Sequence, residues 1–289
     1  MKRYMLWATT ALIVLFMEGC DLMDTHPYSV HVTGDRNLNA RNIRFIEEAC
    51  QNKDTIRFVL TGDTQAWFDE TYDMVNCINE MGDIDFVLHG GDLSDFGMTE
   101  EILWQRDLLR KLKCPFVVIL GNHDCLGTGK LAYQKVFGNT NFTFKAGKTR
   151  FICLNTNALE FDYSEPIPDL GYMRNLLVES KSDSTWQNTI VSMHAQPGAD
   201  VFNNNVMNTF QMIVRQYPTP LFCTAAHDHN VGANDLFNDG IIYHRSTSMD
   251  DRIFTLITIF GDSYSTYKGW LNEGNPVYSY YGDIDAEKE

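Results

Sequence analysis

Three apolar segments of this chain each end in glycine followed by an aspartate or an asparagine. They read FVLTGDTQAW at 58–67, FVLHGGDLSD at 86–95 and FVVILGNHDC at 116–125. Continuous apolar runs of this kind are typical of strands buried on both faces beneath covering helices. Asp63, Asp92 and Asn122 therefore stand at the carboxyl ends of three predicted strands. Each interval between them is long enough for one strand and one crossover helix, so the three ends are expected to lie side by side.

The same alternation of strands and helices continues along the chain. The predicted strands are 56–62, 84–90, 115–120, 149–155, 188–194, 220–226, 240–246 and 253–260. The predicted helices are 39–50, 66–81, 98–113, 130–137, 169–181 and 204–217. The last stretch alternates without helices, which favours an antiparallel edge or a second sheet. We predict one α/β domain over 21–289, with a binding site outside the carboxyl ends of its strands.

Composition supports a folded domain and argues against one class of partner. The chain has 289 residues with 44% hydrophobic side chains, enough for a sizeable core. Its 23 lysines and arginines against 38 aspartates and glutamates give a net charge of −15. A surface this acidic repels polyphosphate backbones, so no binding of nucleic-acid polymers is expected.

The N-terminus has the features of an export signal. Lys2 and Arg3 precede an apolar stretch at 4–17, which has the length of a signal-peptide core and is short for a membrane span. Gly19 and Cys20 follow, as in a bacterial lipoprotein signal in which the cysteine is acylated. We predict a signal peptide over 1–20 and a lipid anchor at Cys20, on the periplasmic or surface face of a bacterial cell envelope. An ordinary signal peptide and a short anchor helix are the alternatives, and both also place the chain outside the cytoplasm.

The remaining cysteines do not suggest a metal site. They are scattered through apolar strand and helix contexts, which favours buried reduced thiols, and stand at 50, 77, 114, 125, 153 and 223. No CxxC pair occurs, so a thiolate zinc site is not supported.

Histidines end two of the later predicted strands. NTIVSMH ends at His194, and LFCTAAHDHN contains His227 and His229. Carboxylates, an amide and imidazoles that converge on one rim are costly unless a cation neutralises the carboxylates. Oxygen and nitrogen ligands without thiolate suit two divalent ions of Mn, Fe or Zn.

The order of these blocks resembles the calcineurin-like metallophosphoesterase family over about 56–230. The blocks are D-x-Q, GDxxD, GNHD, a single histidine and HxH. The resemblance implies a β-sandwich of two mixed sheets flanked by helices. It also implies one metal held by Asp63, Gln65, Asp92 and His229, and a second held by Asp92 as the bridge with Asn122, His194 and His227.

The resemblance further implies a reaction. A hydroxide bridging two metals would attack the phosphorus of a phosphomonoester or a small phosphodiester. His123 would protonate the leaving oxygen as general acid, and the Asp95 carboxylate would orient His123.

Two positions depart from the family pattern. Gln65 stands where most members carry histidine, and an amide oxygen is a weaker, uncharged ligand. Ala226 stands where glycine usually precedes HxH, which is tolerable if its φ stays negative.

Two other functions remain open from the sequence. A purple acid phosphatase would need tyrosine at the position of Asp95, which argues against that class. A non-catalytic envelope lipoprotein could keep the fold for binding, although His123 and Asp92 are both retained. Several other side chains near the motifs are expected to serve ordinary packing: His89, Trp67, Phe68, Phe96 and Tyr133.

The lipid anchor can be tested directly. Cys20→Ala should abolish incorporation of labelled fatty acid and partition into detergent, since the acyl chains are attached through that thiol. A wild-type product that is unlabelled and cleaved elsewhere would contradict the lipoprotein interpretation.

Overall fold

The structure is a computed structural model that describes residues 26, 28–160 and 165–270, so Cys20 lies outside the described residues. The described residues contain six α-helices, α1 Leu38–Cys50, α2 Phe68–Met81, α3 Thr99–Leu109, α4 Gly129–Val136, α5 Leu170–Ser180 and α6 Met207–Val214. The strands are β1 Thr55–Thr61, β2 Phe86–His89, β3 Phe116–Val118, β4 Phe142–Ala146, β5 Thr149–Leu154, β6 Asn188–Met193, β7 Pro220–Ala225, β8 Gly232–Asn234, β9 Ile242–Arg245, β10 Ile253–Phe260 and β11 Ser263–Trp270. No helix in the described part of the chain is long and apolar enough to cross a membrane.

The strands form two mixed sheets. The first has the order β11-β10-β1-β2-β3, and the second has the order β4-β5-β6-β7-β9-β8. Strands β1, β2 and β3 are parallel neighbours, as predicted from the crossover lengths. In the second sheet β5, β6, β7 and β9 are parallel, so a second set of carboxyl ends is collected there. The fold is the predicted sandwich of two mixed sheets flanked by helices.

The layer between the sheets is built from phenylalanines. Phe58 stacks on Phe86 with centroids 5.0 Å apart in the first sheet, and Phe144 stacks on Phe151 at 4.7 Å in the second. Phe86 meets both rings of the second pair edge to face. Edge-to-face contacts of this kind add to the burial of large apolar area and hold the two sheets in one register.

The outer faces of the sheets are buried by the helices, which explains the continuous apolar strands. Val59 and Val87 face helices α2 to α4, whereas Phe58 and Phe86 on the same strands face the other sheet. Helices α5 and α6 cover the second sheet in the same way.

Helix α1 closes the free edge of the first sheet through two buried asparagines. Asn39 donates from Nδ2 to the carbonyl of Val118 at 2.8 Å and accepts from its N–H at 2.9 Å. Asn42 donates to the carbonyl of Phe116 at 2.7 Å. These side chains take the place of a neighbouring strand. They occupy backbone groups at the edge of β3 that could otherwise pair with a strand of another chain.

Some elements differ from the sequence-based expectation. Strands β4 and β8 were not predicted, whereas the antiparallel hairpin of β10 and β11 at the edge of the first sheet confirms the antiparallel edge expected for the last stretch. The six described cysteines are reduced thiols, as expected, and all but Cys114 are buried.

Replacing Asn39 should test this edge closure. Asn39→Ala leaves the buried N–H of Val118 without a partner, while its carbonyl keeps the Tyr133 hydroxyl, so we expect a loss of about 1–3 kcal/mol in the free energy of unfolding. Urea unfolding measures this, with Arg44→Ala, an exposed change on the same helix, as the control. Equal midpoints for the two variants would contradict the edge closure.

Candidate metal centre

The loops after β1 and β2 are joined through their main chains. The N–H of Asp63 donates to the carbonyl of Gly91 at 2.9 Å. The N–H groups of Thr64 and Gln65 both donate to the carbonyl of Asp92, at 3.0 and 3.1 Å. Asp63 and Asp92, the first two predicted aspartate ligands, are therefore positioned by the same set of main-chain hydrogen bonds.

The loops after β2 and β3 are joined by a side chain whose role the sequence did not reveal, Asp124. Its Oδ1 accepts from the N–H groups of Leu93 and Ser94, both at 2.9 Å, and from the Ser94 hydroxyl at 3.0 Å. Its Oδ2 accepts from the N–H of Gly121 at 3.0 Å. Burial, reinforced by the nearby Asp92 carboxylate, raises the pKa of Asp124 to about 6. The only sequence signal was its place as the last letter of GNHD.

The main chain is strained at these positions. Of the nine described non-glycine residues with positive φ, five are predicted metal ligands: Asp63, Gln65, Asp92, His227 and His229. Such conformations persist where surrounding contacts impose them, and they concentrate at functional sites. Gly121 is required here, because a Cβ at that position would lie 2.0 Å from Oδ1 of Asp92.

The strand ends bring six of the seven predicted ligands together. Ligand atoms of Asp63, Asp92 and His194 lie within 4.8 Å of one another. Oδ1 of Asn122 lies 2.9 Å from Nε2 of His194 and 3.0 Å from Nδ1 of His227.

His229 completes the group of six, and the seventh predicted ligand is placed only by its main chain. Nε2 of His229 lies 3.3 Å from Oδ1 of Asp63. Gln65 is buried, with its N–H bonded to Asp92 and its carbonyl accepting from Gln105 at 2.8 Å.

The negative charge of the buried carboxylates in the cluster is not fully compensated by the described residues, which suits the binding of cations. Burial alone would raise the pKa of Asp92, but the adjacent His194 outweighs burial and holds it below its usual value. Burial alone would lower the pKa of His194. The effect of the adjacent Asp92 carboxylate is larger and raises the pKa of His194 to about 9. Oδ1 of Asp63 is fully buried and, among the described residues, faces Nε2 of His229 at a long 3.3 Å. A buried carboxylate oxygen with only such a long contact, beside imidazole nitrogens and an amide oxygen, is an arrangement that suits a divalent metal.

His123 is held by a main-chain group. Its N–H donates to Oδ1 of Asp92 at 2.9 Å, and its Nδ1 lies 2.8 Å from the carbonyl oxygen of Asp95. A carbonyl can only accept, so the proton of the neutral ring is on Nδ1 and Nε2 is left for a substrate. The contact that holds the ring comes from the main chain of Asp95, and the role expected for the Asp95 carboxylate stays a prediction.

Asp200 is a second residue that sequence reasoning missed. Its Oδ1 lies 2.9 Å from Nε2 of His227, whose Nδ1 faces Asn122. A carboxylate on the outer nitrogen of a ligating imidazole fixes its orientation and raises its basicity. Asp200 lies in the loop after β6, in a stretch with no motif to mark it.

The other histidines and Ala226 are accommodated by packing. His89 is buried against the hydroxyl of Thr64, and burial lowers its pKa to about 3, so it is neutral. His244 is buried against Phe222 and Tyr264. Ala226 keeps φ out of the positive range, and its methyl group fills the space beside Gly62 and Gly90.

Comparison with known sequences decides the family. The sequence model of the calcineurin-like phosphoesterases matches residues 56–231, which contain every predicted metal ligand. The chain belongs to the calcineurin-like phosphoesterase family. No curated protein matches the chain significantly.

Solved structures of low sequence identity share the fold. A dimetal phosphatase from Danio rerio aligns with TM-score 0.58 and 12% identity over 74% of this chain and 95% of that chain. GAP50, the anchor in the inner membrane complex of Plasmodium, aligns with TM-score 0.59 and 14% identity over 82% and 91%. Purple acid phosphatase PPD1 from yellow lupin (Lupinus luteus) seeds aligns with TM-score 0.58 and 14% identity over 81% of this chain but only 54% of that chain.

The role of Gln65 in this member of the calcineurin-like phosphoesterase family can be decided by metal titration. If its side chain is a ligand, Gln65→His should tighten one site and Gln65→Ala should weaken it, each by roughly tenfold or more, because imidazole is the stronger donor. Calorimetric titration with Mn²⁺ measures both, and exposed Gln134→Ala serves as control. Equal affinities in all four proteins would show that Gln65 is not a ligand.

Proposed function

We propose that this protein hydrolyses small phosphomonoesters or phosphodiesters at a centre of two divalent metals, with His123 as general acid. The observation that carries the proposal is the convergence of Asp63, Asp92 and His194, whose ligand atoms lie within 4.8 Å of one another, with the Asn122 amide oxygen 2.9 Å from His194. Family membership supports the same reaction class. The identity of the metals, Mn, Fe or Zn, follows only from the oxygen and nitrogen character of the donors.

The residues divide between two tasks. Asp63 and His229 would hold one metal, Asn122, His194 and His227 the other, and Asp92 would bridge them. When bound, such metals lower the pKa of water and stabilise charge on the phosphoryl oxygens.

The proton of the reaction is assigned to His123. Water attacks phosphorus while the bond from phosphorus to the leaving oxygen breaks, and that oxygen needs a proton. The Asp95 carbonyl holds Nδ1, so the protonated ring of His123 presents Nε2–H to the leaving group. Loss of that proton leaves the neutral form that the same carbonyl stabilises.

A binding role without catalysis is the second candidate. It is favoured by the similarity in fold to GAP50, which is an anchor. The retention of Asp92 and His123 in hydrogen-bonded positions favours catalysis over this role.

The setting of the reaction is also proposed. Cys20 would carry a lipid that tethers the domain to a bacterial envelope membrane, outside the cytoplasm. The net charge of −15 continues to argue for small substrates and against nucleic-acid polymers.

Two substitutions should separate metal binding from proton transfer. His123→Ala should keep both metals and lower turnover of p-nitrophenyl phosphate by roughly 10²–10⁴, the usual contribution of a general acid. Asp92→Ala should lose metal, because the bridging carboxylate neutralises both cations. Metal content by elemental analysis and turnover are measured together, with the exposed His31→Ala as control. Loss of metal in His123→Ala with retention in Asp92→Ala would reverse these roles.

A further inference from the structure

Large aromatic side chains are exposed beside the metal centre, where packing in the interior was expected. Trp67 is 37% exposed, two residues after Gln65, and Phe96 is 57% exposed, directly after Asp95. Trp104 on α3 is 53% exposed. Tyr133, by contrast, is fully buried and donates to Val118 as an ordinary core residue.

These side chains belong to one continuous strip of surface. Phe68, which follows Trp67, meets the ring of Trp104 edge to face at 5.8 Å. Trp104 lies one turn after Glu101, whose carboxylate accepts from the N–H of Phe96 at 3.1 Å.

The strip continues to the start of the described chain. Gly97 is tight against Leu126, since a Cβ there would meet its carbonyl oxygen. Gly127 is equally tight against the ring of Tyr28, and the Thr128 hydroxyl donates to the Tyr28 carbonyl at 2.7 Å. Tyr28 is 40% exposed. The aromatic rim is defined here as Tyr28, Trp67, Phe96 and Trp104.

Tyr28, the first residue of the aromatic rim in the chain, lies close in sequence to the predicted N-terminal lipid anchor. Tyr28 lies eight positions after Cys20, and a fully extended chain spans at most about 3.3–3.6 Å per residue, so the two lie within about 30 Å. A lipid on Cys20 would thus hold the rim, and the metal centre beside it, within reach of the bilayer surface.

We propose that the aromatic rim docks on the bilayer interface, so that the metal centre acts on phosphoesters presented at a membrane surface. The proposal rests on the proposed function and on the anchor at Cys20. Tryptophan, tyrosine and phenylalanine suit this place, because their large amphipathic or apolar rings are stable at the boundary between headgroups and acyl chains.

Charge selects the kind of surface. Asp69 in the first turn of α2 and Glu100 in the first turn of α3 are exposed, close in sequence to Trp67 and Trp104, and the whole chain carries −15. An anionic lipid surface would repel this face, whereas zwitterionic lipids place ammonium groups outermost. Phosphatidylcholine vesicles are therefore the matching probe.

Fluorescence quenching can locate Trp104 relative to the bilayer. The full chain, acylated and reconstituted into vesicles of brominated phosphatidylcholine, is compared with Trp104→Phe, and the difference gives the quenching of Trp104 alone. We expect Trp104 to be quenched by the brominated chains. Phe96→Glu, compared with Phe96→Glu/Trp104→Phe, should weaken docking by roughly tenfold, the order expected when one interfacial aromatic is lost.

The control is an exposed apolar residue on the other side of the molecule. Val178 on α5 is 67% exposed over the second sheet, so Val178→Glu should leave the quenching of Trp104 unchanged. An unquenched Trp104 in vesicle-bound wild-type protein, or equal effects of Phe96→Glu and Val178→Glu, would overturn docking through the rim.

Activity separates this proposal from the one on which it rests. Phe96→Glu should slow hydrolysis of a phosphoester embedded in vesicles by roughly tenfold while turnover of soluble p-nitrophenyl phosphate stays at the wild-type level. Equal losses on both substrates would overturn the membrane role. Quenching of Trp104 without turnover of either substrate would overturn the proposed function and leave the docking supported.

Discussion

The carboxylate of Asp124 connects the loops that carry the centre of the site. It is fully buried and accepts from three main-chain N–H groups and one hydroxyl, which belong to the loop after β2 and the turn after β3. Asp92 and His123 are adjacent to its contacts and are themselves bonded to each other. A bridging ligand and a proton donor thus share one support, and neither can shift without breaking several buried hydrogen bonds.

That support explains how unfavourable backbone conformations are maintained. Positive φ at Asp63, Asp92 and His227 costs of order 1–3 kcal/mol each. The stacked phenylalanines between the sheets and the helices outside them hold the strands in register, so the loops at their carboxyl ends start from fixed positions. The packed core thereby fixes the strand ends, and the loops that start there hold the ligands in orientations that they would not adopt alone.

Features that depend on local sequence pattern could be predicted, whereas contacts between residues far apart in the sequence were missed. The continuous apolar runs of β1 to β3 and the alternation of strands with helices were visible in the sequence, and most of the candidate ligands follow strand ends. Strand β8 has three residues, too few for a pattern, and β4 was missed although Phe142, Phe144 and Ala146 alternate. Asp200 approaches His227 only because two loops of the second sheet meet. The carbonyl of Asp95 holds His123 because of loop geometry, which side-chain identity does not encode.

Asp92 and His194 are arranged so that a proton and a cation compete for the same place. Nε2 of His194 lies 3.4 Å from Oδ2 of Asp92 and 2.9 Å from Oδ1 of Asn122, and the Asp92 carboxylate raises the pKa of His194 to about 9. A proton on Nε2 therefore has two acceptors, and both acceptors are also predicted metal ligands. A ligating imidazole must be neutral, so metal binding at Nε2 releases that proton and becomes less favourable as the pH falls. The Asn122 amide oxygen needs no proton change in either case, so at this position acidity and metal occupancy are linked through His194.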